Sequence, residues 1–462
     1  MDTKQTPQLD KENYDKVIKL LLANNFREAE QLVLRQMSGA GAQILACAIN
    51  EVAESPAGRE LVDRLRTTYH YRAVRKTPIQ ITLAGEQHIK VISYYGLAER
   101  KKMGRPKKGR NGTGTHILLQ YWGFSRKRSP ESIDEIVRCG AASASYELAA
   151  QQLQAQRIGV SSYGVGDLVH HVGATASTQR TLHHFALMPG ESLAGKRVSI
   201  ALDGGRIRSR QTKIGRPRAN QKRSRYTTDW KEPKLLVIAE LDEEGNKKKG
   251  TKPLYEATMG GKEEFTRLLI SLSQQLELTK AKEIVCLGDG APVLWDIFAQ
   301  LQNELRIKTK TTEIVDFFHA CEHITELTEA HAKKTAKEQK VWSEELKTLL
   351  RQGKLQAFNT SVKRESKKHD LSILLKHLGY FERHKGRMHY DRYETAKLPI
   401  GSGIVESAVR RVINGRLKAP GSFWKPENAE SMLTVRCALL AGRWSDFMDN
   451  FRRMVSILPV GG

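Results

Sequence analysis

The chain has 462 residues, of which 39% are hydrophobic and 27% are charged, so it is long enough for roughly two to four domains with buried cores. Its formal net charge is +25, because 76 Lys and Arg residues outnumber 51 Asp and Glu residues. Such an excess favours a polyanionic partner, for which nucleic acid is the commonest candidate. The alternative is a basic surface kept for solubility or for RNA.

The cysteines exclude two other classes of protein. They lie far apart with no CxxC pair, which argues against a zinc finger and against a disulfide framework, and suits a reducing compartment. No apolar run approaches the ~18 residues of a membrane span, and the first residues lack the apolar core of a signal peptide. We therefore expect an intracellular protein without a membrane partner. The five cysteines are Cys47, Cys139, Cys286, Cys321 and Cys437.

The first part of the chain predicts a helical segment followed by a DNA-binding region. Residues 1–78 hold 12 Lys and Arg against 10 Asp and Glu, and their apolar spacing is typical of helices. This helical N-terminal segment serves either self-association or simple capping. The DNA-binding region is assigned to 79–180 and begins with a β-hairpin predicted over 79–95.

A strongly basic stretch follows the predicted hairpin. Residues 100–128 contain ten Lys and Arg and no acid. The Gly-Arg-Pro sequence around Arg105, with Lys107 and Lys108 behind it, resembles an AT-hook, whose narrow chain lies in the minor groove of A·T tracts. The alternative is a disordered basic linker.

Residues 130–173 have the spacing of three short helices. Gly159 is expected to be the left-handed residue of the turn before the third helix, which Ser161 or Ser162 would cap. Helix, tight glycine turn and helix is the layout of a helix-turn-helix, in which Ser161, Ser162 and Tyr163 would begin the recognition helix. The alternative is an αα-hairpin with no DNA contact.

From residue 197 the pattern changes to strands alternating with helices. Three strands, a helix, a strand, a helix, a strand and a late helix form the order of an RNase H-like fold, so we expect an α/β class chain with an RNase H-like catalytic domain. A charge-rich helical insertion interrupts that domain before the late helix. The predicted boundaries are 195–318 for its first part, 319–397 for the insertion and 398–456 for its last part.

Two aspartates end apolar strands in this region. In the strand 197–205, Asp203 is followed by Gly204 and Gly205, and a carboxylate in such a place is costly unless it binds something. Asp289 follows a continuous apolar run and lies at its carboxyl end, where ligands of parallel α/β sheets gather. The alternative for each is an Asp-Gly turn.

A third acid, Glu406, is predicted on the late helix. It lies about 100° around the helix from the apolar residue Val405, at the border of the buried stripe. This position places its carboxylate at a cleft, although Arg410 one turn on also allows an ordinary helix ion pair.

Three hard oxygen ligands suit Mg²⁺ or Mn²⁺ rather than zinc. Two such ions roughly 4 Å apart would activate a nucleophile on one side of a phosphodiester and stabilise the leaving oxygen on the other. The metal ligands predicted are Asp203, Asp289 and Glu406.

Four segments together resemble insertion-sequence DDE transposases, with the ISKra4-type family as the nearest group, over roughly residues 85–445. The resemblance implies that Asp203, Asp289 and Glu406 are the DDE triad. It also implies cleavage at terminal inverted repeats, joining of the freed 3′-hydroxyl to target DNA, a homo-oligomer when bound to DNA, and the nucleoid of a prokaryotic cytoplasm. The four segments are LDGG at 202–205, LGDGAPVLW at 287–295, DFFHACEHI at 316–324 and PIGSGIVESAVRRVINGRLKAPGSFW at 399–424.

His319 and His323 resemble a C/DxxH-like signature that follows the second acid in several DDE families. One of them would orient the scissile phosphate or support the fold. A zinc pair is the chemical alternative, but the sequence indicates no third ligand.

Basic residues flank the predicted acids. Residues 206–231 hold ten Lys and Arg and one acid, and are expected to form a long loop that tracks the DNA backbone. This loop contains a second Gly-Arg-Pro, at Arg216. A further group follows Glu406 and would grip the DNA flank or a flipped base, the alternative being a solvated basic face. Its members are Arg410, Arg411, Arg416 and Lys418, with Trp424 nearby.

The sequence therefore predicts a DNA transposase that acts on transposon ends and target DNA. Two other functions remain open at this point. One is an RNase H-like nuclease that hydrolyses DNA without joining 3′ ends, and the other is a DNA-binding regulator whose acids are structural.

Overall fold

The structure is a computed structural model that describes residues 11–34, 38–98, 114–181, 192–215 and 225–457. It divides into two compact units. Unit 1 comprises Met1–Ala176 and Trp444–Gly462, and unit 2 comprises Ser177–Arg443. None of the helices within the described ranges is both long and apolar enough to cross a membrane.

Unit 1 is mainly helical, with a small antiparallel sheet whose strand order is β1-β2-β3. Its strands are β1 (Tyr71–Thr82), β2 (His88–Ala98) and β3 (Gly114–His116). Its helices are α1 (Lys11–Leu22), α2 (Phe26–Leu34), α3 (Ser38–Glu54), α4 (Pro56–Thr68), α5 (Ile117–Tyr121), α6 (Pro130–Ala142), α7 (Tyr146–Ala155) and α8 (Ser162–Thr181), which begins in this unit; the last helix of the chain, α19 (Trp444–Ile457), also belongs here.

The predicted hairpin is confirmed, but it starts earlier than the predicted boundary at residue 79. His70 adopts a φ of 52°, which ends α4 and turns the chain into β1 at Tyr71. The side chains of Ile79 and Ile81 then point into the core, where Trp122 is fully buried and donates its indole N–H to the Leu21 carbonyl at 2.7 Å.

The three helices predicted within 130–173 are present as α6, α7 and α8. Ser161 caps the third, since its Oγ accepts the Gly164 N–H at 3.2 Å. The left-handed turn residue is Arg157, with a φ of 66°, so the prediction of Gly159 is wrong. The reason is that α7 already closes two residues earlier, where the Ile158 N–H bonds to the Leu153 carbonyl at 2.9 Å.

The sequence pattern places the last helix, α19, in the catalytic domain that ends at 456, but the structure assigns it to unit 1. Its Trp444 donates an indole N–H to buried Asp134 at 2.8 Å, and Phe451 contacts the ring of His171 edge-on. Partners far away in the sequence thus decide where this helix belongs.

Unit 2 is built on a five-stranded mixed sheet with the order β10-β9-β4-β7-β8. The strand β4 pairs antiparallel with β7 and parallel with β9, which itself pairs parallel with β10; β7 pairs antiparallel with β8. A separate two-stranded hairpin, β5-β6, follows β4. The strands are β4 (Arg197–Gly204), β5 (Ile207–Ile214), β6 (Arg225–Lys231), β7 (Lys234–Leu241), β8 (Leu254–Thr258), β9 (Glu283–Gly288) and β10 (Thr311–Val315).

The helices of unit 2 fall into two groups. Those that connect or follow the strands of the sheet are α9 (Lys262–Gln275), α10 (Pro292–Glu304), α16 (Gly403–Ala408), a π-helical segment (Val409–Asn414), α17 (Gly415–Leu417) and α18 (Pro426–Leu440). The helical insertion consists of α11 (Phe317–Glu329), α12 (Ala336–Arg351), α13 (Leu355–His369), α14 (Ser372–His384) and α15 (Tyr390–Thr395). The predicted order of sheet strands, helices and insertion is confirmed, apart from the hairpin β5-β6 between the first two of those strands.

The sheet gathers the ends of its parallel strands at one edge. β4 and β9 are continuous buried runs, as expected for strands covered on both faces. Because β4, β9 and β10 are mutually parallel, the residues that follow their carboxyl ends lie at the same edge of the sheet. We call this the acidic edge, since Asp203, Asp289 and Asp316 lie at these three strand ends.

The region after β4 differs from its prediction. The charge pattern predicts a long loop over 206–231, whereas the described part of this region is the hairpin β5-β6. The alternation of Ile207 and Ser209, which are buried, with Arg206 and Arg208, which are exposed, is a strand pattern that the many charges obscured.

The central strand supports a stability prediction. Ile200 of β4 is fully buried, so Ile200→Ala is expected to lower the free energy of unfolding by about 2–5 kcal/mol, through lost burial and a residual cavity. Ile373→Ala on α14 is the matched control, because that side chain is 39% exposed and its loss should cost far less. Denaturant unfolding followed by circular dichroism measures both; equal effects would contradict the position of β4.

Candidate active site at the acidic edge

Asp203 is the penultimate residue of β4 and is half-buried. Its Oδ1 accepts the N–H of Gly204 at 2.6 Å. Gly205 allows close packing just beyond it, because a Cβ there would lie 2.9 Å from Ile413 of the π-helical segment. Gly205 therefore lets the segment that follows Glu406 approach the end of β4.

Asp289 follows the last residue of β9 and opens the turn into α10. Its Oδ1 accepts the Ala291 N–H at 2.8 Å, and Gly290 adopts a φ of 95° that favours glycine. Tyr380 of the helical insertion donates its hydroxyl to the Asp289 carbonyl at 3.0 Å. The insertion thus helps to hold the backbone that carries this carboxylate.

Glu406 lies in the short helix α16, which packs against β4 and β7. Its side chain is 52% exposed, and its Oε2 lies 3.9 Å from the guanidinium of Arg410. α16 runs directly into the π-helical segment Val409–Asn414, and single π turns inside helices occur frequently at functional sites. The carboxylate is thus turned toward open space beside the sheet, not into the core.

The three carboxylates interact electrostatically. Burial, together with the nearby charges of Asp289 and Glu406, raises the pKa of Asp203 to about 6. The Gly204 N–H and the neighbouring His319 act in the opposite direction and hold this pKa down. The fold therefore brings Asp289, Glu406 and His319 within electrostatic range of Asp203, although the four residues come from four separate elements.

The spacing of these carboxylates is wider than that of a closed single-ion site. The ligand atoms of Asp203, Asp289 and Glu406 do not all lie within 4.8 Å of one another. One cluster elsewhere in the described part of the chain does meet that condition. A two-ion arrangement with ions roughly 4 Å apart needs its outer ligands further apart than that. The oxygens available at Asp203, Asp289 and half-exposed Glu406 fit hard divalent cations of this kind.

The two predicted histidines lie on the first turns of α11. Their rings contact each other edge-on with centroids 4.9 Å apart, and His323 also packs against Tyr380 at 4.0 Å. Burial lowers the pKa of His323, and the adjacent His319 lowers it further. His319 lies close enough to Asp203 to act on its pKa, whereas His323 packs against Tyr380 of α14. Within the described chain no further metal-ligand side chain groups with the two, which disfavours the zinc-pair alternative.

Asp316 is a further residue of the acidic edge, and sequence reasoning missed it. It caps α11, since its Oδ1 accepts the N–H groups of Phe318 and His319 at 2.6 and 2.9 Å. Its Oδ2 accepts both the backbone N–H and the hydroxyl of Ser402, four residues before Glu406. The available signal was an aspartate at the end of an apolar strand, the same pattern that indicates Asp203 and Asp289.

The basic residues after Glu406 have different environments. Arg410 and Lys418 are exposed. Arg411 donates to the Tyr255 hydroxyl at 2.6 Å and lies over that ring. Arg416 is only 3% exposed and stacks on Trp424, which is itself 7% exposed, so this pair has little surface to offer to DNA. The burial of Arg416 therefore favours a role in packing over the predicted contact with DNA.

In the hairpin β5-β6, which follows Asp203 in the chain, arginine side chains lie over aromatic rings. The guanidinium groups of Arg206 and Arg208 lie 5.4 and 5.3 Å from the centre of the Trp230 ring, which is 45% exposed. Arg210 lies 4.9 Å from the Tyr226 ring. Positive charge and exposed aromatic surface are thus combined beside the acidic edge.

The remaining predicted DNA contacts lie in unit 1 or in undescribed segments. Tyr163, on the first turn of α8, is 83% exposed, and Ser161 is also exposed, while Ser162 is partly buried. These positions are available to a ligand. The other predicted contacts, Arg105, Lys107, Lys108 and Arg216, fall outside the described residues.

Comparison with known proteins gives two distant structural likenesses. No protein-family model matches the chain, and no curated protein matches it. The Drosophila P element transposase strand transfer complex is similar over 72% of this chain and 84% of that chain, with 12% identity and a TM-score of 0.26. The pre-cleavage Mos1 transpososome is similar over 95% of this chain and 97% of that chain, with 9% identity and a TM-score of 0.14. Both TM-scores are too low for these likenesses to carry an argument about fold or activity.

The raised pKa of Asp203 predicts a specific pH dependence. An acid whose pKa rises on folding binds its proton more tightly in the folded state, so in metal-free protein it lowers stability as the pH increases from about 4 through about 6. Asp203→Asn removes this charge and should therefore raise the melting temperature of metal-free protein at pH 7 to 8, with the gain disappearing toward pH 4. A gain that is constant with pH would contradict the electrostatic cause.

Proposed function

We propose that the chain is a metal-dependent DNA transposase of the DDE class with an RNase H-like catalytic unit. The observation that carries the proposal is that Asp289 and Glu406 lie close enough to Asp203 at the acidic edge for their charges to raise its pKa. A carboxylate with a perturbed pKa at the carboxyl end of a parallel strand is characteristic of functional sites in α/β folds.

The strand topology of unit 2 supports the RNase H-like assignment. Three antiparallel strands that are neighbours in the sheet, β4, β7 and β8, are extended on the β4 side by the parallel strands β9 and β10. The acids then come from the first strand, from the end of the first parallel strand and from a helix that follows the insertion. This is the arrangement that the sequence resemblance implies for a DDE triad.

In the proposed mechanism Asp203, Asp289 and Glu406 hold two Mg²⁺ or Mn²⁺ ions. When bound, these ions supply a lowered pKa for the attacking water or 3′-hydroxyl and stabilise charge on the leaving oxygen. Asp203, whose pKa responds to the charges of both other acids, is held in place by the Gly204 N–H. His319 lies within electrostatic range of Asp203 and would orient the scissile phosphate, while Asp316 fixes the start of the Glu406 helix.

Two surfaces are proposed to hold the DNA. The β5-β6 hairpin would contact the backbone near the acids through its arginines, and Trp230 offers a ring on which a base can stack. The helices α6 to α8 of unit 1 would read transposon ends as a helix-turn-helix, with exposed Tyr163 at the start of the third helix. Of the basic group after Glu406, we include Arg410, Arg411 and Lys418.

The finer assignment is an insertion-sequence transposase of the ISKra4 type that acts at terminal inverted repeats as a homo-oligomer on DNA. Two alternatives are separable by experiment. A nuclease on the same scaffold would cleave DNA without joining 3′ ends. A DNA-binding regulator would bind DNA but show no metal-dependent cleavage.

The activity prediction concerns the acids. With Mg²⁺ and labelled DNA bearing the repeats that flank its gene, the full chain should nick the repeat ends and join the 3′-hydroxyl to a target plasmid. Asp203→Asn, Asp289→Asn and Glu406→Gln should each reduce both steps by at least about a hundredfold, because each removes a ligand of the ions that stabilise the transition state. Gel assays with end-labelled strands measure both steps.

Glu427→Gln is the matched control, since this exposed glutamate begins α18 in the same unit. It should retain full activity. Cleavage without joining would select the nuclease, and unchanged cleavage in the Asp203 and Glu406 variants would refute the catalytic assignment. DNA binding with no cleavage in any metal would select the regulator.

The hairpin generates a separate prediction for DNA affinity. Arg206→Gln combined with Arg208→Gln should weaken DNA binding and lower the slope of log affinity against log salt by roughly one for each phosphate that is no longer neutralised. The control is Lys249→Gln combined with Lys308→Gln. These exposed lysines precede β8 and β10 at the opposite edge of the sheet, and their replacement should leave that slope nearly unchanged. Equal effects of the two pairs would argue against binding of DNA by the hairpin.

A further inference from the structure

A second cluster of metal-ligand side chains lies within the helical insertion. His331 is in the turn after α11, and Glu365 and His369 are one helical turn apart on α13. One ligand atom from each lies within 4.8 Å of the other two. The Nε2 atoms of His331 and His369 are 3.3 and 3.8 Å from the same oxygen, Oε2 of Glu365.

The cluster is buried and incompletely hydrogen-bonded. His331 is 0% exposed and Glu365 is 7% exposed. Neither ring nitrogen of His331 forms a hydrogen bond with any group in the described part of the chain. Burying such groups unpaired costs free energy, so a buried imidazole of this kind needs a partner. Trp342 closes one side, with its ring 5.5 Å from that of His331.

The arrangement matches the dimensions of a zinc site. Two ligands about 2.1 Å from a tetrahedral Zn²⁺ lie roughly 3.4 Å apart, close to the two distances observed. Two imidazoles and one carboxylate suit Zn²⁺ and similar transition metals, whereas Mg²⁺ prefers six oxygen ligands. The i,i+4 spacing of Glu365 and His369 presents both on one face of α13.

Lys334 is the competing partner. Its Nζ lies 3.0 Å from the same Oε2 of Glu365, and the side chain is 24% exposed. An ion-pair network of Lys334, His331 and Glu365 is therefore the alternative. That network neutralises the carboxylate, but it leaves both nitrogens of His331 without hydrogen-bond geometry. The lysine stem is long and reaches the surface, so the ammonium can withdraw to solvent when a cation binds.

We infer that His331, Glu365 and His369 bind one divalent transition-metal ion of the zinc class, which fastens the α11–α12 turn to α13. Three protein ligands leave a fourth position for water. This site is separate from the acidic edge in residues and in chemistry, and it stands whether or not the chain is a transposase. Binding requires neutral imidazoles, so any proton on His331 or His369 is released to solvent.

The test uses the full chain carrying Asp203→Asn and Glu406→Gln, which remove metal binding at the acidic edge. After chelator treatment, Co²⁺ is titrated while visible absorption reports tetrahedral coordination, and bound metal is counted by mass spectrometry. The expected result is one Co²⁺ per chain, displaced by Zn²⁺, with a higher melting temperature in the presence of Zn²⁺.

Variants assign the site. His331→Gln and His369→Gln should each weaken Co²⁺ binding by more than about tenfold. His377→Gln is the matched control, because this histidine lies on α14 of the same insertion outside the cluster, and it should bind normally. Lys334→Ala should bind Co²⁺ as tightly as the parent chain or more tightly, because the competing ammonium is gone.

The outcomes are distinct. His369 lies partly at the surface, so His369→Gln should keep the circular dichroism spectrum of the parent even where His331→Gln unfolds. Absence of the tetrahedral spectrum in the parent, or its retention in folded His369→Gln, would overturn the proposal and leave the ion-pair network. Weaker Co²⁺ binding in Lys334→Ala would also count against it, since the lysine would then be supporting the site.

Discussion

The acidic edge depends on the hydrogen bonds that Asp316 makes between two parts of the chain 86 residues apart. One carboxylate oxygen caps α11 and the other accepts from the backbone and hydroxyl of Ser402, at the start of α16. Hydrogen bonds to a charged carboxylate are among the stronger ones in proteins. The helix that carries Glu406 is therefore held against the strand ends by a side chain that itself follows β10, and the position of the third acid relative to Asp203 rests on this link.

Bringing these carboxylates together costs electrostatic free energy. Asp203 is partly desolvated and faces two further carboxylates, which is why its pKa rises. The arrangement is unfavourable in the metal-free protein. It favours the binding of cations, because a bound cation relieves the repulsion among the acids. The arginines of the β5-β6 hairpin place positive charge around the same edge, where a nucleic acid backbone would lie in the proposed function.

The helical insertion contributes to the site instead of merely interrupting the sheet. Tyr380 of α14 donates to the backbone of Asp289 and packs against His323, so the insertion contacts the edge from the side of β9. A zinc-class ion at His331 and Glu365 would add rigidity at the base of the same helices, because it would join α13 to the turn that follows α11. Metal binding in the insertion and the geometry of the edge would then be linked through one group of packed helices.

The sequence by itself determined the order of the five sheet strands and their helices in unit 2, the helical insertion and the presence of the helices α6 to α8, but not the β5-β6 hairpin, because periodicity and capping residues are local signals. It also indicated Asp203 and Asp289, since a carboxylate after an apolar strand is a local anomaly. Only the tertiary structure decided that Asp316 joins them, that Arg416 is buried and that α19 packs in unit 1. Each of these depends on partners distant in the chain, and a local pattern specifies which face of an element is apolar but not which element will cover it.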